Sequence, residues 1–358
     1  MKNNHTPNTG TLSASVRHRA ARMHLIREDV YTMRKKAAVI GCLAVLLFAV
    51  LFSGCSRLPH EPIQRQDFLF DTIVTVTIYD KEDEGLLSQC MELGRRYENL
   101  FSRTKEGSDI WRINHANGQP VAVSEETVQL IETALSYCDL SNGGYDITIG
   151  AVSELWDFRA EEPSLPASGR MAEALKTVDY RGVKVDGGTV ALAVPGAQLD
   201  LGSIAKGYIA DRMADLLRGQ GVQSAILDLG GNIYVLGGKP DGTEFRVGLQ
   251  SPFDESQLGA VSVKDKSLVT SGINQRGFTI DGKRYHHLLD PKTGYPIENG
   301  LASVTVVTDR SVDGDALSTV LFCLGEEQGM ELAERLGIQA AFVRDDGQIV
   351  QTADMRLS

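Results

Sequence analysis

Leu199-Asp200-Leu201-Gly202-Ser203-Ile204-Ala205-Lys206-Gly207-Tyr208 sets a carboxylate, two glycines and one lysine between an apolar run and a helical one. The residues before Gly202 read as a strand end, and Ile204, Tyr208, Ile209 and Met213 then recur at helical spacing. The amides of residues 202–205 would face outward at a helix N-terminus, where the dipole favours an anion, and Lys206 could add a full positive charge in the first turn. The same residues also suit an ordinary strand-turn-helix with a solvated lysine.

Working outward, the chain alternates helical and extended patterns. Residues 68–79 are rich in β-branched residues, while 84–100 and 125–138 carry helical periodicity, the latter opened by Ser124 as a cap. Residues 156–176 are richer in Pro, Ser and Glu and read as an excursion or lid. Strands are expected at 225–236, 245–249, 260–270, 276–280 and 301–308, and helices at 315–324 and 326–336. Several successive strands with no helix between them imply antiparallel pairing, so the fold class is α+β, a mixed and largely antiparallel sheet with flanking helices.

Upstream, Arg34-Lys35-Lys36 precedes sixteen uncharged residues, 37–52, and then Ser53-Gly54-Cys55. That is the pattern of a bacterial lipoprotein signal: a short apolar core behind a basic region, ending in small residues before a cysteine to be lipidated. It divides the chain into a leader, 1–54, a tether, 55–66, and a main domain, 67–355. It also puts the domain on the outer face of the cytoplasmic membrane, anchored through Cys55; Met33 is an alternative start.

The leader has eight Lys/Arg against two Asp/Glu, a net of +6; with −11 for the whole chain, residues 55–358 carry −17. Such a surface repels a nucleic-acid backbone, so a phosphate ligand must be small and held by local dipoles, lysine or a metal. Beyond the leader and Cys55, three widely spaced cysteines remain, Cys90, Cys138 and Cys323, and read as buried small residues.

Three further clusters carry chemistry. In Asp313-Gly314-Asp315-Ala316-Leu317-Ser318-Thr319, Asp315 and Thr319 fall one helical turn apart and could offer oxygens to a hard cation; Asp315 could equally be a helix cap worth about 1 kcal/mol. His287 lies just before an Asp290-Pro291-Lys292-Thr293-Gly294 turn and suits either structure or a general base. Gly143-Gly144-Tyr145-Asp146 offers an aromatic face and a carboxylate, fit for a ring or ribose, or for a surface turn.

In this order the motifs resemble the ApbE family, the FAD:protein FMN transferases. The likeness runs through Phe70-Asp71-Thr72, Phe101-Ser102-Arg103, Ser108 to Asn114, Gly143 to Asp146, Trp156-Asp157-Phe158, the 200–208 stretch, Asp228-Leu229-Gly230-Gly231-Asn232, Thr270-Ser271-Gly272, 287–294 and 315–319. It implies a T-fold-related single large domain that binds FAD, uses Mg²⁺ and transfers FMN to a threonine hydroxyl of a target protein, releasing AMP. The targets implied are exported or membrane-bound subunits of quinone-reductase or Rnf-type electron transport.

By motif, FAD contacts are implied at Phe70, Thr104, Gly144, Tyr145, Asp146, Asp200, Lys206 and Leu288. Metal ligands are implied at the Ser203 carbonyl, Asp315 and Thr319, and His287 becomes the base. Three positions depart from the family pattern: Phe70 stands where methionine is frequent, Thr104 where tyrosine occurs, and Ser203 where alanine is usual. Two rivals are an FAD pyrophosphatase, with water as acceptor, and a non-catalytic flavin-binding lipoprotein, which would have no need of Asp315 and Thr319.

Overall fold

The computed structural model describes residues 61–358 apart from 159 and 161, together with Met33. The leader reading and Cys55 lie outside the described residues. From Glu61 onward the described residues form one compact unit. Among them no helix is long and apolar enough to cross a membrane.

An eight-stranded sheet forms the spine. In spatial order its strands are Ile63–Leu69, Thr72–Ile78, Ser224–Leu229, Asn232–Gly237, Lys266–Gly272, Leu301–Thr308, Gln339–Arg344 and Ile349–Gln351. Every neighbouring pair is antiparallel, so the expected α+β class holds. The Leu301–Thr308 strand is buried at all eight positions because both faces of the sheet are covered there. Val304 and Val306 face the helices, and Val307 joins Val235, Leu268 and Ala341 beneath the Phe245–Gln250 and Gln257–Val263 hairpin. Each such aliphatic side chain contributes about 1.5–3 kcal/mol by burial, and Ser303, Thr305 and Thr308 are buried alongside them.

Several boundaries move, each for a local reason. The extended run 68–79 is two strands, because Phe70 and Asp71 adopt φ of 54° and 62° and turn the chain back on itself. The run 260–270 breaks likewise at Asp265, φ 49°, and the run 225–236 at Gly230 and Gly231. The first strand opens at Ile63, inside the segment read as a tether. At the other end Ser358 donates its amide to Ala260 at 3.0 Å, so the fold continues past residue 355. Residues 156–176 do not form a free lid: Trp156 and Met171 are buried with Phe278 and Leu289, and Trp156 Nε1 donates to the Gly294 carbonyl at 2.9 Å.

Two helices on one face place the site. Ala205–Gly219 and Ser311–Leu336 touch at Gly207, where a Cβ would come within 2.2 Å of the Ser311 carbonyl oxygen. The second helix starts four residues before Asp315 and breaks at Gly325, φ 80° and ψ 176°, the point that separates the two helical patterns of the sequence. Neither helix has a side-chain cap from its own N-cap residue. Each is capped by the other: Asp211 accepts the amides of Ser311 at 2.7 Å and Val312 at 3.0 Å, and Asp315 accepts that of Gly207 at 3.0 Å.

Candidate active site

The 199–208 stretch makes the expected turn into a helix, but no strand leads into it, and the amides of Gly202, Ile204 and Ala205 are taken by Asp200 Oδ1 and the Leu201 carbonyl instead of facing outward for an anion. Asn114 grips the extended segment through both backbone groups of Leu199, accepting its amide at 2.7 Å and donating to its carbonyl at 3.0 Å. The chain then turns at Gly202, whose amide meets Asp200 Oδ1 at 3.0 Å, and enters the 205–219 helix. The N-terminus of that helix opens on a cavity of about 620 Å³.

Ten of the twelve residues expected at the site line this cavity: Gly144, Tyr145, Asp146, Asp200, Ser203, Lys206, His287, Leu288, Asp315 and Thr319. A larger cleft of about 1020 Å³ lies next to it between 140–142, 283–298 and 324–335, and shares Gly144 and Cys323 with it. Of the expected residues that cleft holds Gly144 alone, so the chemistry belongs to the smaller cavity.

Asp315 is the best-held group. It is 4% exposed, takes the Gly207 amide on Oδ2, and pairs with Lys206 Nζ at 3.0 Å through Oδ1. Thr319 Oγ1 lies one turn along the same helix, 3.0 Å from Ser271 Oγ. A buried carboxylate and a hydroxyl one turn on are oxygen donors of the kind Mg²⁺ takes, although Lys206 Nζ holds both carboxylate oxygens, at 3.0 and 3.3 Å. Among the described residues no group of three or more His, Cys, Asp or Glu gathers as a metal cage. A site built on one carboxylate and substrate phosphates would not require such a cage.

The strand ends at His286 and the chain bends at His287, and the two rings sit in different surroundings. His286 is buried, places its ring edge-on to Phe322, and its Nε2 lies 3.2 Å from the Ile297 carbonyl. His287 lines the cavity, half-buried, with an enclosed Nδ1 that has no partner among the described residues. Burial above all, then the positive charges of Arg276, His286 and Lys206, bring the His287 pKa down to about 3. Burial also brings His286 down to about 4. The His287 imidazole is therefore neutral at neutral pH and, in the free protein, only a weak base.

The other expected contacts divide. Tyr145 is buried and its hydroxyl accepts from Ser203 Oγ at 2.9 Å. Asp146 lines the cavity, but its carboxylate is engaged by Thr148 at 2.6 and 2.8 Å and by the Tyr180 amide at 3.1 Å, so it first builds the loop; burial raises its pKa. Asp290 accepts the Lys292 amide at 2.9 Å, as a turn residue does.

The structure does not bring Phe70 and Thr104 to the cavity. The Phe70 ring packs toward Gly94, its amide tied to Glu98 at 2.9 Å, and Thr104 is exposed beside Ser102. Their neighbours line the cavity instead. Asp71 and Thr72 do so after Phe70, and Arg103 before Thr104, with its Nε 3.2 Å from Asp200.

Sequence reasoning also missed an aromatic wall. Trp156 and Phe158 lie parallel within 2°, centroids 5.6 Å apart, and both line the cavity. The Trp-Asp-Phe spacing was the available signal, since alternate residues of an extended segment share a face. Trp156 is itself covered by Phe158 and Tyr285, so the apolar side of the cavity open to a planar ring is Phe158, Leu289 and Pro291, while Lys206, Arg103 and Arg276 bring positive charge to the same space.

The ApbE family model matches residues 70–342. The chain is 41% identical over 281 residues to the FAD:protein FMN transferase of Klebsiella pneumoniae, covering 77% of this chain and 87% of that protein. It is 35% identical over 337 residues to the protein of the same name from Treponema pallidum, covering 88% and 93%. Among solved structures, the ApbE protein of Thermotoga maritima superimposes with a TM-score of 0.77 at 30% identity, over 82% of this chain and 97% of that one. The flavin transferase ApbE of Vibrio cholerae does so with a TM-score of 0.74 at 27% identity, over 82% and 98%. Matched by the family model over most of its length and 35–41% identical to these two relatives, the chain belongs to the ApbE family.

Proposed function

We propose that the cavity binds FAD and transfers its FMN half, in the presence of Mg²⁺, to a threonine hydroxyl of an exported or membrane-bound protein, releasing AMP. The observation that carries the reading is the convergence of Lys206, His287, Asp315 and Thr319, from three separate segments, on one cavity of a chain whose relatives are named for this activity.

The pyrophosphate meets the 205–219 helix N-terminus and Lys206, which offset its charge, while the apolar side at Phe158, Leu289 and Pro291 receives a ring. Asp315, Thr319 and the Ser203 carbonyl would hold Mg²⁺, which when bound supplies charge neutralisation at the phosphates. The incoming hydroxyl gives its proton to His287 as its oxygen forms a bond to the FMN phosphorus. The bond from that phosphorus to the bridging oxygen breaks, and AMP departs with the electron pair. Holding nucleophile, base and phosphorus together supplies most of the acceleration. Anchoring through Cys55 would keep the enzyme beside membrane-bound acceptors such as quinone-reductase or Rnf-type subunits.

The test is direct. The full chain is incubated with FAD, Mg²⁺ and an acceptor protein, and flavin fluorescence is sought in a denaturing gel. A fluorescent acceptor band that disappears with chelator supports the proposal; free FMN without a labelled acceptor would mean hydrolysis instead.

A further inference from the structure

The Asp-Leu-Gly-Gly-Asn run at 228–232 is accounted for by architecture up to its last residue. Asp228 accepts the Gly231 amide at 3.0 Å and tightens the turn. Gly230 and Gly231 adopt φ of 66° and 86°, and a Cβ on Gly230 would lie 2.1 Å from Thr72 Oγ1. These are the needs of a tight turn pressed against a neighbouring strand.

Asn232 answers to no such need. It is 1% exposed, and its Oδ1 accepts from Ser311 Oγ at 2.6 Å. Ser311 is itself 2.9 Å from Ser267 Oγ, so the amide is fixed in place. Its Nδ2, with two donor hydrogens, has no partner among the described residues. A buried amide with unmet donors costs on the scale of a lost hydrogen bond, and native structures seldom leave one without a reason.

The place supplies that reason. Asn232 lines the cavity and pairs across the sheet with Val269; two residues on, Ser271 touches Thr319. We propose that Asn232 is a further substrate-binding residue whose Nδ2 donates to an acceptor oxygen of the bound FAD. The role rests on the flavin-transfer reading above. FAD presents acceptors of the right kind in both halves: phosphate, hydroxyl and ring carbonyl oxygens. The carboxamide donates without adding charge to a cavity that already holds Lys206 and Asp315, so it selects for an oxygen rather than for an anion.

The experiment measures FAD, FMN and AMP binding to the full chain by flavin fluorescence and calorimetry, with thermal melts run without ligand. Asn232→Ala is expected to weaken FAD about tenfold, the scale of one hydrogen bond. Asn232→Asp keeps the Ser311 contact but turns a carboxylate toward the oxygen, and is expected to weaken FAD about 100-fold. Whichever of FMN and AMP shows the same loss carries the oxygen. Variants that bind FAD like the wild type, or that lower the melt while the folded fraction binds unchanged, overturn this role alone. A wild-type chain that does not bind FAD overturns the transfer reading and this role with it.

Discussion

Asp211 and Asp315 cap each other's helices: Asp211, on the 205–219 helix, holds the first amides of the 311–336 helix, and Asp315 returns the contact at Gly207. The carboxylate that faces the cavity is thus fixed by a partner that does not line it. Burial raises the Asp211 pKa to about 6 against the usual carboxylate value near 4. Folding favours its protonated form, so its stabilising term is full below about pH 4 and is lost as pH rises through about 6. His286 and His287, with lowered values, contribute in the opposite sense, full above about pH 6.5 and lost as pH falls toward 3–4. Asp211→Asn removes the first term alone. Unfolding free energies at several pH values should therefore rise more steeply from pH 4 to 7 in the variant than in the wild type. A parallel pair of curves would show that Asp211 titrates normally.

Gly207→Ala tests the closeness of the two helices. Its Cβ would meet the Ser311 carbonyl oxygen at 2.2 Å and the Val312 Cα at 2.7 Å, all backbone, so the helices must separate. A loss of about 2–3 kcal/mol in denaturant unfolding is expected, at the upper end for overpacking. A loss under about 0.5 kcal/mol would mean that the contact is not tight.

For His287 the expectation is a rate effect. His287→Ala should lower transfer by about 10²–10⁴ with little change in FAD affinity. Bound pyrophosphate would offset Lys206 and Arg276, so the His287 pKa, about 3 in the free protein, should rise when FAD binds. An NMR titration with and without FAD reads this shift, and a value that stays or falls would remove His287 from the phosphate's neighbourhood. His286→Ala, in contrast, should cost about 2–3 kcal/mol of stability through lost packing on Phe322 while folded protein keeps its transfer rate.

How far the sequence reaches depends on the scale of the interaction. Helical period and turn chemistry are local, so the 199–208 turn, the antiparallel strands and the break at Gly325 were legible in it. Phe70 was not, because its side-chain direction depends on a left-handed backbone and on Glu98, 28 residues away. Asp315 could be read as a ligand or a cap, and it does serve as a cap, but for a helix more than 100 residues earlier in the chain. Asn232 was part of a recognised motif, yet only the packed structure reveals that its amide is buried and unmet. Contacts across the fold leave no periodic trace in sequence.

The most direct test of the central claim is the intact mass of an acceptor protein after incubation with FAD and Mg²⁺. With the wild-type chain the acceptor should gain the mass of FMN less one water, on a threonine. Asp315→Asn, which keeps the side-chain shape but not the charge paired with Lys206, should leave the mass unchanged while the variant still folds. An unmodified acceptor with the wild type, or full modification with Asp315→Asn, would contradict the account.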